Sequence, residues 1–210
     1  MNLQPTRWVS ILGISLSGLL PWCINTLLQP GAGIEAVSES AASYAKIGDG
    51  LLHCDNGRVN FKSDAALEVI QAKSNKLHGV IDPANQTFAW AVELKTFEGF
   101  NSALQREHFK ENYLETDEFP KAIFQGKIIE KIDFQKDGTY SVRAKGKLLI
   151  HGVEQERILN SQLVLKNGKA FIHSDFTVLL SDHNINIPRI VHQKIAEEIA
   201  VTVEAELQAS

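Results

Sequence analysis

Residues 139–150 read TYSVRAKGKLLI, and this alternation sets the fold class. Tyr140, Val142, Ala144, Gly146, Leu148 and Ile150 point one way, while Ser141, Arg143, Lys145 and Lys147 point the other. A period of two marks a β-strand with one dry face and one wet face. Upstream, Phe88, Trp90, Val92 and Leu94 alternate with Ala89, Ala91, Glu93 and Lys95. Ala122, Phe124, Gly126 and Ile128, and beyond them Ile132 and Phe134, oppose Gln125, Lys127, Lys131 and Asp133. Downstream the pattern returns in Ala170, Ile172, Ser174, Phe176 and Val178, and again from Ile199 to Leu207. Asp49-Gly50, Asn56-Gly57, Asp137-Gly138 and Asn167-Gly168 are hairpin-type dipeptides, and Asp82-Pro83-Ala84-Asn85 is a further turn.

About eight or more strands joined mostly by hairpins make an antiparallel meander. Such a meander closes most simply into a barrel, which removes exposed edges; a two-sheet sandwich is the alternative, but it usually needs longer crossovers. The fold class is therefore all-β, an antiparallel barrel. One segment departs from it. Phe97–Pro120, FEGFNSALQREHFKENYLETDEFP, is too long for a hairpin loop. Phe100, Leu104, His108 and Phe109 lie near one helical face, Leu114 closes the run and Pro120 stops it. One amphipathic helix over residues 100–116 is predicted to cap the barrel.

The inward faces mix Ala122, Gly126, Ala144, Gly146, Ala170 and Ser174 with large aromatics. Small residues there either leave an elongated apolar cavity or fit the taper and bend of a closed barrel.

The chain has 210 residues and a net charge of −4, room for one sizeable core and no basic surface for nucleic acid. Arg7 leads an uncharged run, Trp8–Leu28, followed by a Pro/Gly/small stretch to Ala36. This describes a signal peptide over residues 1–36, with an uncleaved anchor at 8–28 as the alternative. Cys23 after Leu20-Pro21-Trp22 raises a lipoprotein site, which bulky Trp22 fits poorly. Residues 37–43 read as a linker, and the barrel domain is expected over 44–210. Loss of the leader removes Cys23 and leaves Cys54 alone, so no internal disulfide forms. The expected location is periplasmic or secreted.

No HExxH, CxxC, P-loop, G-x-G-x-x-G or G-x-S-x-G is present. Seven histidines stand without metal-ligand spacing. His53 and Cys54 are strand neighbours on opposite faces, so they cannot act together, and Cys54 reads as a small buried hydrophobe. Neither a catalytic group, a metal nor a cofactor is expected. A small hydrolase or isomerase using His108 or His151 is the alternative, and a filled barrel serving as an interaction domain is another.

Four stretches resemble the YceI-like family: GVID at 79–82, LQREHFKENYLETDEFPKAIFQGKI at 104–128, GKLLIHGVEQER at 146–157 and SDHNINIP at 181–188. His183 stands where that family more often carries an aromatic. The resemblance implies a lipocalin-like barrel with a helix across one end, binding a long isoprenoid lipid or isoprenoid quinone. Contact with a membrane surface would follow. The tunnel would then be lined by Phe88, Trp90 and Val92, by Phe100 and Leu104 of the helix, and by Phe124, Tyr140, Val142, Ile172 and Phe176. Arg106, His108 and Tyr113 would offer donors to a polar head at the mouth.

Overall fold

The computed structural model describes residues 50–209. Eight strands run in order: β1 (Leu52–Asp64), β2 (Val69–Asp82), β3 (Thr87–Glu93), β4 (Lys121–Ile128), β5 (Gly138–Ile150), β6 (Val153–Lys166), β7 (Lys169–Leu179) and β8 (Glu198–Ala209). Each pairs antiparallel with the next, and β8 returns to β1, so the barrel is closed. The sandwich alternative is thereby excluded.

Antiparallel order divides the connections between two ends. The β2–β3, β4–β5 and β6–β7 loops share one end with the start of β1 and the close of β8, where Leu52 pairs with Ala209. This end is the floor. The β1–β2 loop, the long 94–120 segment, the two-residue β5–β6 turn and the 180–197 segment share the other end, the mouth.

Turn chemistry explains the tight connections. Asp82 Oδ1 accepts from the backbone N–H of Ala84 (2.9 Å) and Asn85 (3.2 Å), which fixes the β2–β3 turn. Asn167 and Gly168 both have positive φ, 53° and 74°, as a two-residue hairpin requires. His151-Gly152 forms an equivalent turn, with φ of 51° and 71°, outside the usual hairpin dipeptides. Asn56-Gly57, expected as a hairpin, instead lies inside β1 at a register shift against both neighbours. The extra residue is a bulge, which bends a long strand around the barrel.

The predicted helix is shorter than 100–116. Helix α1 spans Ala103–His108, and one wider π turn follows over Phe109–Tyr113. Ser102 caps its start by accepting from Gln105 N at 3.1 Å. Its end is set by Glu115 in the left-handed region (φ 43°), five residues before Pro120. Ile132 and Phe134 fall in the β4–β5 loop beyond the end of β4.

Leu52, Cys54, Leu165, Ala170 and Leu207 are buried together at the floor and close it. Burial pushes the Cys54 thiol above its ordinary pKa, in keeping with a packing role. Gly126 and Gly146 are cross-strand partners where the backbones of β4 and β5 come close. A Cβ on Gly126 would stand 2.1 Å from Lys145 O, and one on Gly146 would stand 2.2 Å from Gln125 O. These two glycines serve the bend of the wall.

Candidate functional site

Above the floor the barrel is hollow. The cavity has a volume of about 480 Å³, within the range of roughly 300–1,000 Å³ usual for ligand sites. Its wall follows β4 from Ile128 up to Ala122, a path of about 20 Å at ~3.3 Å per residue. Ala122, Ala144 and Ser174 line it, so small side chains at these three positions make room for the cavity. Ala170 is buried in the floor, outside the cavity.

Of the residues named for the tunnel, Phe88, Trp90, Phe100, Phe124, Val142, Ile172 and Phe176 face the cavity. Trp90 lies flat on Gly79, where a Cβ would come within 2.0 Å of the indole ring. Val92, Tyr140 and Leu104 do not line the cavity. Val92 is buried in the wall, in register with Leu77 and Ala122. Tyr140 sits low on β5, and its hydroxyl donates to Lys136 O at 2.9 Å. Leu104 points to solvent. Phe100 precedes the Ser102 cap and lies outside the helix, so the spacing from Phe100 to Leu104 is not helical. The inward face of α1 is Gln105, His108 and Phe109, and the π turn carries it on to Tyr113 and Leu114.

The lid over the mouth is held by aromatic packing. Phe61 of β1, absent from the expected set, stacks on Phe109 (5.4 Å, 14°) and meets Phe97 and Phe100 at 5.4 and 5.8 Å. Phe100 and Phe109 also touch, at 5.0 Å. An isolated bridge, Lys73 to Glu98, ties the lid's start to β2. At the lid's far end, Glu115 Oε2 lies 2.7 Å from His151 Nε2, while His151 Nδ1 lies 3.1 Å from His183 O. The ring bridges a lid carboxylate and a backbone carbonyl of the 180–197 segment. His151 thus latches the lid to the 180–197 segment and does not line the cavity.

Of the three residues expected at the head, His108 and Tyr113 line the cavity and Arg106 does not. Burial raises the Tyr113 phenol above its ordinary pKa, so it stays a neutral donor. Glu68, Gln105 and Lys194 join them at the mouth. Glu68 is engaged by amides, Gln105 Nε2 at 2.5 Å and Asn101 Nδ2 at 3.3 Å. Also at the mouth, Ser63 Oγ accepts from Ala196 N (2.8 Å); deeper inside, Ser174 Oγ donates to Asn160 O (2.9 Å). The cavity therefore meets a ligand with hydrocarbon below and polar groups at the opening.

A closed antiparallel barrel, packed shut at the floor, lidded at the mouth and hollow between, defines a lipocalin-like binding barrel. The chain belongs to the YceI-like family, whose domain model matches residues 52–207. Solved structures agree in fold. A polyisoprenoid-binding domain from Saccharophagus degradans superposes with a TM-score of 0.60 at 12% identity, over 78% of this chain and 100% of that one. Burkholderia cenocepacia BcnA gives 0.60 at 13% identity, over 71% and 95%. A YceI protein of Campylobacter jejuni gives 0.50 at 17%, over 63% and 81%. No curated protein matches the sequence. Members of the family act as binding proteins.

Proposed function

We propose that this protein binds a long-chain apolar lipid, tail first, with the polar head at the mouth. A polyisoprenoid, either a polyprenyl lipid or an isoprenoid quinone, is the ligand class. The carrying observation is the apolar cavity of about 480 Å³, lined from Ile128 near the floor to Gln105 and Lys194 at the mouth. Burying hydrocarbon gives about 0.8 kcal/mol per CH₂-sized group, so a five-carbon unit contributes roughly 4 kcal/mol before the costs of association. No hydrogen bond along the tail is needed, which suits a mainly apolar wall in which Ser63 and Ser174 are bonded to the backbone. The Saccharophagus degradans neighbour, described as a polyisoprenoid binding domain, supports the same class. Carriage requires no catalysis. Outside the cytoplasm, as a periplasmic or secreted protein, is the location that the Arg7-led apolar run supports, although that run lies outside the described residues.

The test is to express the barrel domain, extract it with organic solvent and identify bound material by mass spectrometry. A co-purifying isoprenoid is the expected result. A barrel that comes out empty and then fails to take up polyprenyl phosphates and quinones overturns the proposal.

A further inference from the structure

Among the described residues eight large apolar side chains are exposed, and five of them, Leu67, Val69, Leu104, Leu179 and Ile190, belong to the mouth end. Ile190 is 91% exposed, Leu67 67% and Leu104 58%. Their three segments are bonded to one another around the opening. Leu67 N donates to Gln193 O at 2.8 Å, and Gln105, next to Leu104, bonds Glu68, next to Leu67. The barrel wall has no such grouping. There Ile158 and Phe171 stand on different strands, and Ile129 lies at the floor end. The apolar rim is also continuous with the cavity, because Val191, Lys194 and Ile195 of the Ile190 segment line it.

Charge is placed to match. Residues 189–194, RIVHQK, contain no acid, and Arg189 and Lys194 bracket Ile190. Neither cation is in an ion pair among the described residues. The lid is acidic, with Glu98, Glu107, Glu111, Glu115, Asp117 and Glu118 against Arg106 and Lys110, so the cationic side of the mouth is confined to the 189–194 segment.

We propose that the mouth face docks on a lipid bilayer. Leu67, Leu104 and Ile190 enter the interface, and Arg189 and Lys194 meet anionic phosphate head groups. Docking lets an apolar cargo pass between membrane and cavity without crossing water. Apolar contact area together with cations facing anionic lipid is the combination that holds peripheral proteins at a surface. The bilayer is favoured over a protein partner because the rim encloses the opening of an apolar cavity and carries unpaired cations.

This docking rests on the lipid-cargo reading, yet its test needs no cargo. In the full chain, with Cys23→Ser, an environment-sensitive thiol dye is placed at Ile190→Cys or, as wall control, at Ile158→Cys. Cys54 is buried and stays unlabelled. The apolar run before residue 29 is present in every arm, so attachment through it does not by itself separate the two positions. With vesicles of phosphatidylcholine and phosphatidylglycerol, the dye at 190 is expected to shift to the blue and resist aqueous iodide. The dye at 158 stays open to quenching. Arg189→Glu with Lys194→Glu should weaken the response at 190 at least tenfold, since each cation near such a surface contributes about fivefold. A dye at 190 as open to iodide as the one at 158, on these vesicles, overturns the docking and leaves delivery to a protein partner. An empty barrel in mass spectrometry would instead refute the cargo reading alone.

Discussion

Phe61→Ala should loosen the lid while leaving the barrel closed. Phe61 makes three ring contacts with the lid segment, to Phe97, Phe100 and Phe109. Aromatic pairs contribute about 0.5–1.5 kcal/mol each beyond area burial, so the loss is roughly 1.5–4.5 kcal/mol. Phe61 lines the cavity, so the space left behind joins an existing void and little new cavity is created. The loss falls mainly on local opening of residues 97–113, because β1 keeps its ladders to β2 and β8. At about 1.4 kcal/mol per decade, amide protection in Ala103–Tyr113 should fall roughly tenfold to a thousandfold. Amides of β5 and β6, which share 13 paired positions and meet the lid only at their His151-Gly152 turn, are the internal reference. Hydrogen exchange read by NMR or mass spectrometry distinguishes the outcomes. If lid amides keep their protection, or if β5 and β6 lose as much as the lid, the aromatic cluster is not what seats the lid.

Three further perturbations follow from the same geometry. Ala144→Phe places a ring in the hollow part of the barrel, so co-purified lipid should drop by at least tenfold with little change in thermal midpoint; full loading would show that the ligand lies elsewhere. His151→Asn keeps a residue that tolerates the left-handed turn but removes both latch bonds, at a cost of about 1 kcal/mol because Glu115 is half exposed; faster exchange at Leu114 and Thr116, with β5–β6 unchanged, is expected, and no change would dismiss the latch. His183 is buried, and desolvation holds its pKa below the ordinary 6.5. The unfolded chain therefore takes up the proton first, and stability should fall as pH drops below about 6.5 toward the folded value; in urea titrations at stepped pH, His183→Phe should flatten that fall, and an unchanged slope would refute the assignment.

The strands were legible because alternation reports which side chains face inward. It does not report height along the barrel axis. Hence Tyr140 and Val92 were rightly inward yet off the cavity: one lies toward the floor and the other is covered in the wall. Leu104 failed for a different reason. A 3.6-residue template counted from Phe100 assumes that the helix already runs there, whereas it starts after the Ser102 cap, so Leu104 does not share the face of Phe100. Asn56-Gly57 misled because a bulge and a hairpin turn draw on the same residue types, and only the partner strands distinguish them. His151-Gly152 went unread since histidine is not a usual turn former, although it enters the left-handed region more readily than most residues. Lys194 and Ile195 come from an irregular segment with no periodicity to follow. Phe61 could have been found, as Val59, Phe61 and Ser63 alternate and all reach the cavity.

The pairing of Leu52 with Ala209 places both ends of the described chain beneath the floor. The first and last described strands therefore meet on the side opposite the lid. A pull applied at either described end reaches the barrel through the ladder that β1 and β8 share, not through the lid segment. The same placement leaves the floor as the side where an added tag or tether does not obstruct the opening.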